Sequence, residues 1–180
     1  MSKINSLIIW LSKPSSIALF LGFYLVFIIF MLPKLSGEMQ STPPIDLAFT
    51  YTVNEVYTWI EAYGEEGRHA YMVGEMTIDI IYPIIYTALL IGILGYMTSY
   101  KEDPRLYGIR WLVITPLAIW FFDLLENTGI VLMLYRFPEQ LNNVAVLTSF
   151  ATTIKWSFAA FVVTATIMTS IRRLVQYIKR

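Results

Sequence analysis

Apolar residues run along this chain in four long blocks separated by shorter polar stretches. The first, Pro14 to Pro33, holds no charge and is bracketed by Lys13 and Lys34. A helix of roughly 20 apolar residues crosses a hydrocarbon core about 30 Å thick, so this block predicts a membrane span. Pro14 suits a first helical turn and Pro33 an exit. The block lacks a small-x-small cleavage pattern, which favours a retained span over a signal peptide. The other blocks predict spans over 70–97, 108–135 and 143–171. They are too continuous for the alternation of a barrel strand, and in lipid only helices or closed barrels satisfy their own backbone. The expected fold is all-α. It is a polytopic membrane protein with an antiparallel four-transmembrane-helix bundle, one domain over residues 1–180.

Helical periodicity also appears outside the spans. Ile4, Leu7, Ile8 and Leu11 lie at helical spacing beside Lys3 and Lys13, which predicts an interfacial helix within residues 1–13. The outer loop, 34–69, starts with a polar, proline-containing stretch from Ser36 to Pro44 that should be extended. Thr52-Val53-Asn54-Glu55 then reads as a capping box. It opens a helix over 53–63 with Val53, Val56, Tyr57 and Ile60 on one face and Gly64 as its stop. This helix should lie on the outer membrane face or cap the bundle. Short connections at 101–107 and 136–142 imply antiparallel neighbours. Ala18/Gly22 and the series Ala145, Ser149, Thr153, Ser157 are small residues at steps of four, a pattern for close helix packing. No internal repeat supports an inverted-repeat transporter.

Composition agrees with this pattern. The chain is 57% hydrophobic and only 14% charged, with 13 Lys+Arg against 13 Asp+Glu and no cysteine. That excludes disorder, a disulfide scaffold and a thiolate metal site, and argues against a nucleic-acid partner. The balanced total hides a strong asymmetry. Lys3, Lys13, Lys101, Arg105, Arg110, Arg172, Arg173, Lys179 and Arg180 fall on one side, and Lys34, Arg68 and Arg136 on the other. The positive-inside rule then predicts cytoplasmic termini and a cytoplasmic tail over 172–180. Tyr100, Tyr107 and Trp111 stand where an aromatic belt is expected.

The chemistry lies inside the spans. Glu75 and Asp79 are four apart, on one helix face, and Asp123, Glu126 and Asn127 share a face of the next span. Lys155 stands alone in the fourth. At 1.5 Å per residue, Asp79 and Glu126 lie about 13 Å deep, Asp123 and Lys155 about 18 Å and Glu75 about 7 Å. Charged groups in hydrocarbon cost several kcal/mol and usually face a partner or a cavity. Three spans bringing such groups to similar depth predict a shared acidic chamber in the outer half of the bilayer. Four carboxyls against one ammonium cannot all ionise at little cost. Lys155 should pair with Asp123 or Glu126, and some of the four should carry a proton. Tyr82, Tyr86, Trp120 and Trp156 are candidate walls. Arg68, His69 and Tyr71 would form the chamber mouth, His69 as an interfacial anchor or a proton gate. Helix gluing by these same polar groups is the structural alternative. A single histidine excludes a two-His zinc site, and no cofactor or phosphate motif is present.

Two segments carry a resemblance. Residues Tyr57 to Pro83 contain Glu65-Glu66-Gly67-Arg68 and Glu75-x3-Asp79-x3-Pro83, and Phe122-Asp123-Leu124-Leu125-Glu126-Asn127 follows. Together they resemble a group of small bacterial four-helix membrane proteins without assigned function, which implies the bacterial inner membrane as location. In layout the chain is also similar to the EXPERA group, which includes the emopamil-binding sterol isomerase and the sigma-2 receptor. That resemblance implies an internal lipophilic pocket, with Glu75 or Asp79 and Asp123 or Glu126 as its acids. It does not extend to a catalytic histidine within the second span, because His69 lies at that span's edge.

The leading expectation is a binding module for a small lipophilic or amine-bearing ligand, since aromatic walls with carboxylates suit an organic cation. A proton- or cation-coupled permease, with Asp79, Asp123 and Glu126 as relay, would need a homo-oligomer. A membrane enzyme using two carboxyls as acid and base on a lipid is a third reading. A structural partner subunit is the fourth.

Overall fold

The computed structural model describes residues 3–31, 42–98 and 110–178. All regular structure among them is helical. The elements are α1 (Lys3–Leu11), α2 (Pro14–Val26, extended by a π-helical turn Phe27–Met31), a 3-10 turn (Ile45–Leu47), α3 (Val53–Ala62), α4 (Gly64–Met97), α5 (Arg110–Ile114), α6 (Pro116–Arg136) and α7 (Asn142–Ile178). Three stretches, Gly64–Met97, Trp111–Arg136 and Asn142–Arg172, are long and apolar enough to cross a membrane. A fourth results if the pair α1–α2, bent by 72°, is counted as one span. The connection 101–107, Tyr100 and Tyr107 of the aromatic belt, Lys34 and residues 36–41 lie outside the described residues.

Local signals explain most boundaries. At α3 both halves of the capping box are made: the Glu55 amide donates to Thr52 Oγ1 at 3.3 Å, and Glu55 Oε2 accepts from the Thr52 amide at 2.7 Å. That bond from the Thr52 main chain holds the Glu55 carboxyl below the usual carboxylate range. Gly64 has φ +66°, a left-handed value that glycine adopts freely, and it turns the chain from α3 into α4. Helix therefore resumes at Gly64 rather than at the start of the apolar run. Glu65 and Glu66 in its first turn face the positive end of the helix dipole. Pro116, which has no N–H, interrupts the helix at Thr115 between α5 and α6, within the apolar stretch Trp111–Arg136. In the fourth no glycine or proline follows Ile171, and helix persists through Ile178 where a tail was expected.

Two apolar clusters sit at opposite ends. One, beside α3, contains Ile45, Val56, Tyr57, Ile60, Ile130, Met133 and Ala145. Thus α3 packs over the ends of α6 and α7, and the Tyr57 hydroxyl accepts the Leu141 N–H. The other, beside α1, joins Ile8 and Leu11 to Leu94, Val113, Ile119 and Val162. Here α1 is seated on the end of α4. The Leu11 carbonyl lies against Gly92 and the Ser12 hydroxyl against Gly95, where no larger residue would fit. The opposite face of α1 leaves Ile4, Leu7 and Trp10 exposed, as an interfacial helix would.

Small residues divide by their surroundings. Ala18 is exposed and nothing lies within 4 Å of a side chain built on Gly22, so the close packing expected of this pair is not made among the described residues. In the α7 series, Ala145 and Ser149 are buried and Ser157 is exposed. Gly129 is the true contact: a Cβ there would collide with the Thr148 side chain, which is fixed by its own bond to the Val144 carbonyl at 2.7 Å. Gly129→Ala should therefore destabilise by about 1–3 kcal/mol through overpacking, while Gly22→Ala should cost nothing. Denaturant unfolding in detergent, comparing both variants with the parent, measures this difference.

Candidate functional site

Between the two apolar clusters lies a polar layer. On α4, Glu75 and Asp79 fall between Tyr71 of the cluster beside α3 and Ile91 of the cluster beside α1. On α6, Asp123 and Glu126 fall between Ile130 and Ile119, and on α7 Lys155 falls between Ala145 and Val162. The helical spacing read from the sequence thus aims each group at the same level.

Lys155 is the centre of the layer. Its ammonium lies 3.3 Å from Asp123 Oδ1 and pairs with Glu126 Oε2, so it bridges both carboxylates. All three residues are buried. Glu126 Oε1 accepts from the Thr152 hydroxyl at 2.7 Å, and its other oxygen has no hydrogen bond beyond the ion pair. The ammonium also lies 5.4 Å from the centre of the Trp156 ring. Taking charges out of water costs several kcal/mol each, repaid only by such multiple contacts.

Asn127 does something different. In an α-helix the N–H of residue 83 would bond the carbonyl of residue 79, but residue 83 is proline and has no N–H. The Asn127 amide donates to that Asp79 carbonyl at 2.9 Å. The side chain of α6 replaces the donor that α4 lacks, as lipid-buried backbone requires.

Glu75 stands apart from this network. It is 2% exposed, and neither carboxyl oxygen has a hydrogen-bond partner. The charges that bear on it are Asp46, Asp79, Glu126 and Lys155. Asp79 is half-buried one turn further in. A buried carboxylate without a partner costs several kcal/mol, so the position calls for a proton or a cation.

Asp46 was invisible in the sequence as a member of this group. It belongs to the outer loop, yet its carboxylate accepts from the Tyr71 hydroxyl at 2.7 Å. Its carbonyl accepts from Trp156 Nε1 at 3.1 Å and Lys155 Nζ at 3.4 Å. Tyr51 and Tyr63 were missed as well. Both are buried and, with Tyr71, lie close enough to Glu75 to feel its charge. Burial, with the carboxylates adding to it, pushes the phenols of Tyr51 and Tyr63 up, so they remain neutral. The available signal was a pair of apolar runs, Pro43-Pro44-Ile45 and Leu47-Ala48-Phe49, on either side of Asp46.

The remaining candidates are placed unevenly. Tyr86 approaches Asp123, though its hydroxyl makes no well-formed hydrogen bond. Trp120 is half-buried with its indole N–H unpartnered. Tyr82 stacks on Phe27 at 5.1 Å and Tyr24 at 5.9 Å, so it belongs to the contact with α2 more than to the acids. Trp156 is engaged with Asp46, as above. At the expected mouth, Tyr71 is buried within the group, whereas His69 is exposed. Arg68 turns outward, donating to the Ile60 carbonyl at 3.2 Å and lying 4.4 Å over the Phe137 ring. It ties α3 and the α6–α7 connection to α4.

The fold and site define a helical membrane protein with a buried polar layer. No family model, curated protein or solved structure matches the chain.

Two outcomes are expected. Lys155→Met strands two buried carboxylates and should cost about 3–5 kcal/mol in unfolding experiments, partly recovered by adding Glu126→Gln. Asn127→Leu should cost about 1 kcal/mol or more in the parent but clearly less in a Pro83→Ala background, where an N–H again reaches Asp79. Equal costs in both backgrounds would rule out the replacement of donors.

Proposed function

We propose that this protein is a membrane-embedded binding protein for a small lipophilic, amine-bearing ligand, whose ammonium is received by Glu75 with Asp79 beside it. The carrying observation is Glu75, which is buried with both oxygens unpartnered. Asp123 and Glu126 share the Lys155 ammonium, whereas the acid pair of α4 has no cation of its own in salt-bridge contact among the described residues. Tyr51, Tyr63 and Tyr71 supply aromatic surface, suited to a cation with apolar substituents.

In this reading the molecule is an antiparallel bundle of four spans in the bacterial inner membrane, with α2 in the first span and α1 as the interfacial helix before it. The excess of Lys and Arg on the side of both termini supports a cytoplasmic placement of that side. The site then opens toward the outer leaflet, beneath the cap formed by α3.

Thermal stabilisation and native mass spectrometry of the purified protein test the proposal, with long-chain alkylamines set against alcohols of the same length. Amines should be retained and should stabilise the protein, and alcohols should not. Glu75→Gln should weaken amine binding by roughly tenfold or more, equal to about 1.4 kcal/mol. Equal behaviour of amine and alcohol, or undiminished binding by Glu75→Gln, would overturn it.

A further inference from the structure

Between Pro43 and Thr52 the only regular structure is the single turn Ile45–Leu47, yet this segment is seated against α4 and α7. Helix side chains grip its main chain. The Trp156 indole N–H donates to the Asp46 carbonyl, and the Thr153 hydroxyl donates to the Phe49 carbonyl at 3.1 Å. The Ser149 hydroxyl accepts the Tyr51 N–H at 3.0 Å and donates to the Tyr51 carbonyl at 2.8 Å.

The position of this segment matters. Tyr71, which fixes the Asp46 carboxylate, stands one helical turn outward of Glu75 on the same face of α4. The segment therefore crosses the outer approach to Glu75. Its ends are anchored by Ile45 and Tyr51, both buried, while Leu47 and Phe49 between them are more than half exposed. It has no ladder of backbone bonds to a neighbour. Segments held this way open locally at far lower free energy than the helices around them.

We propose that residues 43–52 form a lid over the buried carboxylate site, latched by Tyr71 and Ser149, and that its opening exposes Glu75 to the outer side. This goes beyond the ligand reading, because it concerns access to the site whichever cation the site receives.

The chain has no cysteine, so a single introduced thiol reports cleanly. In full-length protein in lipid nanodiscs, Glu75→Cys should react with a charged, membrane-impermeant thiol reagent. Adding Ser149→Ala should raise that rate roughly tenfold by loosening the latch. Hydrogen exchange on the wild-type chain gives a second measurement that needs no variant at position 75. Amides of residues 46–51 should open well ahead of those around Glu75. A labelling rate indifferent to Ser149→Ala, or amides of 46–51 that open only together with α4, would overturn the lid. A protein that binds no amine but opens in this way would overturn the ligand reading and leave the lid standing.

Discussion

One ammonium placed between two carboxylates governs this structure. Lys155 reaches Asp123 and Glu126 across the contact between α6 and α7, and all three are buried. None of the three could be kept charged there alone, since an isolated ion in such surroundings costs several kcal/mol. The requirement that they meet fixes the rotation of both helices about their axes. It also fixes their relative height, and the packing of Gly129 against Thr148 agrees with the same register. The apolar clusters at either end then fill around a layer whose position is already set.

The end beside α3 answers a second constraint. Backbone that is not helical needs partners of its own wherever water is excluded. The segment before α3 finds them in side chains of Tyr63, Tyr71, Ser149, Thr153 and Trp156. In the sequence Tyr71 reads as part of a chamber mouth, Trp156 as a wall and Ser149 and Thr153 as helix-packing residues, and none of them points to this segment. The same arrangement delivers Asp46 to the polar layer, so structural support and electrostatics come from one insertion.

What the sequence made legible was local. The Thr52–Glu55 capping box, the i, i+4 spacing of Glu75 and Asp79 and the shared face of Asp123, Glu126 and Asn127 depend only on helix geometry. Lys155 could be matched to its partners by depth because rise per residue is constant in a helix. The arrival of Asp46, Tyr51 and Tyr63 could not be read, since it depends on how an irregular loop folds back. Ala18 and Gly22 had the right spacing for a close contact but make none among the described residues, because spacing says nothing of whether a partner is present. Tyr82 shares the face of Asp79, yet the aromatic side chains of α2 draw it aside. The role of Asn127 was half visible: Asp79-x3-Pro83 marks an unpaired carbonyl, but only the structure supplies its donor.

That borrowed donor has a mechanical consequence. Most contacts between membrane helices are apolar and tolerate small slippage, because one methyl group can replace another. The bond from Asn127 to the Asp79 carbonyl does not. A shift of α4 by one residue would move the Asp79 carbonyl about 1.5 Å along the axis and rotate it by roughly 100°, away from the Asn127 amide. Two long helices are thus pinned to each other at mid-length, like a crossbar riveted between two masts. Any rearrangement that respects the rivet must carry α4 and α6 as a single body and find its freedom elsewhere in the molecule.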